Sequence, residues 1–339
     1  MPLSEQPKIQ LVYKPGAQAR GIVVFDRRTS ASRSRAYRRR KYQTVAREAP
    51  PNFVADLQRL RNWPSMKGSL WRRASLVKLT HAQNCRLLTE SISGRNLNIL
   101  DVGCGTGCIS LELSRMGHDV LGLDRNERMT EIATRTKKTS KSGSGQLQYE
   151  MADFDKWFGT TGTYDVVIFS RVLHDLPDPE NALLKAHRLL KSRGRILCLE
   201  YAYNMMDKKT ATWLYQIRKP LELQDWYSSP HLPDDPGKGV DLIMREVVTG
   251  RKQHINTFEE MIRPLKRLFH QETFSWHPYH FWDVLSDMRI PNPMIEERLA
   301  TMIKILEEFL LGIGEIQPAL FLYNGRKPDT YHVRNRAVN

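Results

Sequence analysis

The residues best suited to chemistry are a glycine cluster and an acid downstream of it. Leu97-Asn98-Ile99-Leu100-Asp101-Val102 reads as a short apolar strand that stops at Gly103-Cys104-Gly105-Thr106-Gly107 and gives way to a helical pattern. Glycine carries no Cβ and tolerates positive φ, so such a strand–loop–helix turn lets a nucleotide-like ligand approach the backbone closely. The next apolar run, Asp119 to Leu123, ends on Asp124, about 20 residues past the turn, where an acid can accept hydrogen bonds from both hydroxyls of a ribose. Dinucleotide enzymes space their glycines G-x-G-x-x-G and set a pyrophosphate on the helix N-terminus. Here the spacing is G-x-G-x-G.

The elements that position these residues alternate from 97 to 201. Strands are expected at 97–102, 119–123, 147–151, 164–170 and 195–201, with helices at about 106–116, 127–137 and 179–191. This alternation implies an α/β domain with a parallel sheet, whose ligands lie beyond the carboxyl ends of the strands. Gly103 to Gly107, Asp124, Asp153-Phe154, Ser170 to Asp175 and Tyr201 stand at those ends.

The string Leu100-Asp101-Val102-Gly103-Cys104-Gly105-Thr106-Gly107, with Asp124, resembles motif I of the class I S-adenosylmethionine (SAM) dependent methyltransferases. The resemblance implies a Rossmann-like, doubly wound seven-stranded sheet with the last strand antiparallel. It implies SAM as cofactor, held by Asp101, Gly103, Cys104, Gly105, Gly107, Asp124 and Ser170. Met151-Ala152-Asp153-Phe154 resembles the family's adenine element, in which the acid bonds the adenine amino group and its neighbour packs on the ring; Asp155 competes with Asp153 for that role. Arg125 and Met129 either flank the adenine or are a solvated arginine and a core methionine.

The run Arg171-Val172-Leu173-His174-Asp175-Leu176-Pro177-Asp178-Pro179-Glu180 resembles two groups within that superfamily. UbiE-like (type 11) enzymes carry a His-Leu-Pro-Asp run here. Small-molecule O-methyltransferases carry a His-Asp pair whose histidine is the general base. By position His174 matches that base, with Asp175 to orient it; the alternative is that His174 only packs or caps the loop. Arg171 and Tyr201 fall on the acceptor side. Ser192-Arg193-Gly194 replaces the family's usual Pro-Gly turn before the fifth strand.

The chain has 339 residues, 40% of them hydrophobic, and a formal net charge of +15. The charge sits at one end: residues 1–90 carry 19 Lys and Arg against 5 Asp and Glu, and the remaining 249 carry 33 against 32. A basic balance of this kind describes an arm rather than an active-site face. Arg27 to Lys41 is Arg/Ser-rich, and residues 1–50 read as a solvated tail, a nuclear or organellar address, or a tether to nucleic acid or another anionic surface. No apolar run approaches the ~20 residues of a bilayer span, and the polar N-terminus lacks a secretory h-region. Cys85, Cys104, Cys108 and Cys198 show neither metal nor disulfide spacing, which suits a reducing, cytoplasmic setting.

Residues 51–95 read as helices covering the cofactor mouth, with Trp63, Met66 and Trp71 either lining it or packing. Residues 202–255 exceed a minimal connection, and in the family such insertions form a lid. Trp213, Tyr215, Trp226 and Tyr227 suit a planar acceptor or the lid's own core. A helix capped by Thr257, a strand at 270–276, a helix at 293–311 and a last strand at 315–323 complete the sheet, with a polar tail from 328. His277 and His280 lack clustered acids, so no metal is expected. The leading expectation is methylation of a small molecule at oxygen or nitrogen. An RNA or protein acceptor guided by the arm is second; no Asn/Asp-Pro-Pro-Tyr/Phe motif follows the fourth strand. A SAM-binding protein without activity is third.

Overall fold

Parallel strands buried on both faces need near-continuous apolar runs, and the centre of this sheet has them. Strand β1 (Asn98–Val102) lies between β2 (Asp119–Asp124) and β4 (Tyr164–Ser170), and β4 pairs with β5 (Leu190–Tyr201). Leu100, Val167, Phe169 and Ile196 fill one face with no more than trace exposure, and Ile99, Ile168, Leu197 and Leu199 fill the other. The remaining strands are β3 (Leu147–Met151), β6 (His270–His277) and β7 (Leu320–Arg326). The order is β3-β2-β1-β4-β5-β7-β6, seven strands among the described residues, with β7 antiparallel to both neighbours.

This computed structural model describes residues 74–140, 143–227, 231–249, 255–285, 288, 290 and 292–329, all within one compact unit, residues 50–339. The basic arm, Trp63, Met66, Trp71 and the end of the tail lie outside the described residues.

Helices α1 (Ala74–Glu90), α2 (Cys108–Arg115), α3 (Glu127–Thr139) and α4 (Pro179–Leu189) flank the parallel half. Their starts are chemically specified. The Asn126 side chain accepts from the Arg128 amide, and Asp178 accepts from Asn181 with Pro179 in the first turn. Helices α5 (Lys208–Glu222) and α6 (Pro236–Thr249) form the insertion, and α7 (Phe258–Leu268), α8 (His280–Leu285) and α9 (Pro293–Ile313) complete the chain. Thr257 caps α7 in a full capping box with Glu260, as its position predicts.

Two boundaries differ from expectation. Strand β5 begins at Leu190 rather than 195, because Leu190 already pairs with Tyr164 across a register shift. The last strand is Leu320–Arg326 rather than 315–323. Gly314, at φ 75°, ends α9, and Gln317 is drawn to the Thr210 hydroxyl (2.8 Å) before the chain enters the sheet. Antiparallel pairing of Tyr201 with Leu320 and Arg195 with Arg326 sets the register.

The insertion packs with α8 and α9 in a third core that includes Trp213, Tyr227, Phe281 and Ile303. Tyr215 donates to Pro233 O (2.9 Å), and Tyr227 donates to Val284 O. These aromatics therefore serve the insertion's own interior. Glu307, fully buried on α9, accepts the amides of His280 (2.8 Å) and Phe281 (2.7 Å), which satisfies the first turn of α8. No helix of the described residues is long and apolar enough to cross a membrane.

Candidate active site

The carboxyl ends of β1 and β2 are tied into one rigid corner. The Cys104 amide donates to Leu123 O (2.9 Å) and the Gly107 amide to Cys104 O (2.9 Å). The Gly105 amide donates to Asp124 Oδ2 and the Asn126 amide to Asp124 Oδ1, both at 2.8 Å. Each oxygen of that carboxylate keeps a further lone pair for a ligand hydroxyl. Gly103 sits at φ 68°, and a Cβ there would come within 2.5 Å of Val172 Cγ2. At Gly105, φ 55°, a Cβ would meet nothing within 4 Å, so this residue opens the corner to a ligand.

The corner borders a cavity of about 410 Å³. Of the expected cofactor residues, Gly103, Gly105, Asp124 and Arg125 line it from the first two loops, joined by Met129 from α3. Asp153, Phe154 and Ser170 line it from the loops after β3 and β4. Asp155 does not, which favours Asp153 for that wall. Phe154 is buried edge-on against Phe169 with ring centres 5.7 Å apart, and Lys185 lies over its ring.

Asp101, Cys104 and Gly107 do not line the cavity but stand behind the loop. Cys104 lies under it, near Gly122, and Gly107 offers its carbonyl to the Tyr149 hydroxyl (2.9 Å). Asp101 is fully buried, with Oδ2 accepting from Ser110 Oγ (2.5 Å) on α2 and Oδ1 without a partner. Burial pushes its carboxyl up to about 7, against the hydrogen bond from Ser110. The native state then holds a proton that the unfolded chain releases near pH 4. The stability this contributes is complete below about pH 4 and is lost as pH rises through about 7. Chemical denaturation of the wild type and Asp101→Asn should show their difference falling by up to ~1 kcal/mol per pH unit across that window. A difference independent of pH would contradict a proton on Asp101.

On the acceptor side, Arg171, His174, Asp175 and Tyr201 all line the same cavity. His174 belongs to a short 3-10 turn, Leu173–Asp175, and is buried. Its Nδ1 lies 2.8 Å from Glu200 Oε2, while Asp175 Oδ2 is 3.4 Å from Nε2. Glu200 also accepts the amides of Val172 and Leu173 on Oε1, both at 2.7 Å, and is fully buried. Asp175 was the expected orienting residue; the carboxylate that grips the ring and its turn is Glu200. The signal for it was present, since Glu200 is the one acid in the apolar run Ile196 to Tyr201.

Asn256 carries no such signal. It is buried just before α7, donates from Nδ2 to Leu173 O (3.0 Å) and Leu176 O (2.7 Å), and its amide donates to His174 O (2.9 Å). The histidine turn is thus held from both sides. The Tyr201 ring lies with its centre 5.1 Å from that of His174, and the rings of Tyr203 and Tyr279 pack against it.

His277 is engaged by Ser275 Oγ (2.8 Å) and His280 Nε2 by Gln317 O (3.0 Å), and no metal-binding cluster occurs among the described residues. A second cavity of about 330 Å³, between α2, α3 and β3, offers only Lys137 as a charged group, and its Nζ is bonded to Leu147 O.

The larger cavity fits a nucleoside ligand on its own evidence. The Ser170 hydroxyl is buried there without a protein partner, Gly105 leaves open space, and a fixed carboxylate stands at the rim. Comparison with known proteins agrees. Residues 93–231 match the family model described as a methyltransferase domain. The chain is 24% identical over 199 residues to a ubiquinone biosynthesis O-methyltransferase of Coxiella burnetii, spanning 53% of this chain and 83% of the relative. It is 29% identical over 198 residues to the ubiquinone/menaquinone biosynthesis C-methyltransferase UbiE of Idiomarina loihiensis, spanning 57% of this chain and 72% of the relative. Among solved structures, a SAM-dependent methyltransferase from Mesorhizobium loti aligns at a TM-score of 0.45 and 17% identity, over 72% of this chain and 98% of that one. Glycine corner, Asp124 and family match coincide on one segment, and the chain carries there a class I SAM-dependent methyltransferase domain.

Proposed function

We propose that the protein methylates a small molecule bearing an acidic hydroxyl, and that the buried His174–Glu200 pair takes the hydroxyl proton. The pair, lining the same cavity as the glycine corner, is the observation that carries this reading. The quinone-pathway names of the relatives support a small, planar, phenolic acceptor.

SAM bound in the corner supplies an electrophilic methyl group on a sulfonium. Asp124 would accept the ribose hydroxyls, Asp153 would face the adenine, and Phe154 with Met129 would pack around it. Glu200 accepts the Nδ1 proton of His174, which leaves the Nε2 lone pair for the acceptor. His174 Nε2 would take the hydroxyl proton of the acceptor during methyl transfer, and Asp175 Oδ2, 3.4 Å from Nε2, would stabilise the imidazolium. Asn256 and Glu200 hold the turn so that little reorientation is needed. The four cysteines, all free and buried, support a reducing, cytoplasmic setting.

The test is transfer of labelled methyl from SAM into cell extract, resolved into small-molecule, RNA and protein fractions, with Asp124→Ala as control. Label in the small-molecule fraction that disappears in the control is the expected result. Label confined to RNA or protein would overturn it and make the basic arm a substrate tether.

A further inference from the structure

Among the described residues, Arg171 lines this cavity with no carboxylate partner. Arg171 follows β4 in the left-handed conformation, φ 57°, which is strained for a non-glycine residue and persists only where the surroundings impose it. Its amide donates to Leu199 O (2.8 Å), so the backbone is anchored. The guanidinium makes two long contacts, to the Tyr201 hydroxyl (3.5 Å) and to His81 Nδ1 (3.4 Å). Its Nε is buried and without a partner. No carboxylate among the described residues lies within 4 Å of it, although the ion pairs elsewhere in the chain are ordinary ones. Burial, with the charge of Arg171 beside it, holds the His81 imidazole well below its usual range, so His81 is a neutral neighbour. A half-buried guanidinium whose Nε is shut off from water among neutral groups is unfavourable unless an anion arrives to meet it. Its planar donor fork matches a carboxylate.

We propose that Arg171 is a carboxylate receptor of the cavity: the ligand it meets carries a carboxylate, supplied either by the amino-acid end of the cofactor or by the acceptor. This rests on the reading that SAM and acceptor share the cavity. Both sources are reachable in principle, because Arg171 lines the cavity between Ser170 and His174.

Titration calorimetry on the full chain separates the sources. S-adenosylhomocysteine is compared with 5′-methylthioadenosine, which keeps the nucleoside and thioether but lacks the amino-acid end. 4-Hydroxybenzoate is compared with 4-hydroxybenzamide, with and without S-adenosylhomocysteine. Losing one partner of a buried charged pair is expected to cost about 30-fold or more. If the cofactor supplies the carboxylate, Arg171→Gln weakens S-adenosylhomocysteine by that factor and leaves 5′-methylthioadenosine within twofold. If the acceptor supplies it, S-adenosylhomocysteine is unchanged and a benzoate-over-benzamide preference of tenfold or more in the wild type disappears. In either case Arg171→Lys keeps part of the preference.

The proposal is overturned if Arg171→Gln changes neither ratio. The wild-type ratios are a second readout that does not depend on the variant folding: if neither exceeds twofold, Arg171 receives no carboxylate. Failure of both thioether ligands to bind the wild type would instead tell against the cofactor reading, and the benzoate comparison without S-adenosylhomocysteine would still decide the role of Arg171.

Discussion

Asp124→Ala lowers the affinity for SAM by about 100-fold or more. Hydrogen bonds to a charged group contribute roughly 1.5–3 kcal/mol each, and each ~1.4 kcal/mol is a factor of ten in affinity. Asp124 is placed to accept two of them from a ribose, and its removal also frees the Gly105 and Asn126 amides that it now holds at 2.8 Å. The corner loses its brace together with its ligand contact. Asp124→Asn separates the two effects. An amide oxygen can still accept from Gly105 while its NH2 leaves the Asn126 amide unpaired, so this variant should lose less melting temperature than Asp124→Ala while losing most of the affinity. Titration calorimetry with SAM, alongside thermal melting, is the measurement. An Asp124→Ala protein that binds SAM within threefold of the wild type would remove Asp124 from the cofactor site.

His174→Ala is the second large effect. A positioned general base contributes typically 10²–10⁴-fold, so kcat on the acceptor identified by labelling should fall by about that range while SAM affinity stays within threefold. The two halves of this prediction matter equally. A histidine that merely packed the turn would, on truncation, lower the melting temperature and disturb SAM binding without a selective loss of kcat. Glu200→Gln should fall between wild type and His174→Ala in kcat. It weakens the acceptor for Nδ1, and it replaces the carboxylate that takes the Val172 and Leu173 amides. Some loss of thermal stability is therefore expected with it, and the ratio of kcat loss to stability loss distinguishes it from His174→Ala. Equal turnover of His174→Ala and wild type at every pH tested would eliminate the base.

Much of the site was legible because its determinants are local. Glycines at 103, 105 and 107 occur where φ must be positive, and Asp124 stands at the end of the neighbouring strand. Apolar runs marked β1, β4 and the centre of β5, and a side chain such as Asn126 or Thr257 marks a helix start by its own hydrogen bond. These features depend on a few consecutive residues, so a linear reading reaches them.

Other features depend on what the chain meets after it folds. Whether Gly107 and Cys104 face the ligand or stand behind the loop was decided by packing against Tyr149 and Gly122. The start of β7 follows from antiparallel pairing with a strand more than a hundred residues earlier. Asn256 reaches the histidine turn across some eighty residues of sequence, and Glu200 across 26. By itself, then, the sequence determined the sheet, the glycine corner and the acid at the end of β2, because backbone conformation and apolar periodicity are properties of short segments. Only the tertiary structure decided which carboxylate holds His174, which aromatics belong to a core, and that Arg171 stands in the cavity with no counterion among the described residues. Burial and partnership are set by neighbours in space, and those neighbours come from distant parts of the chain.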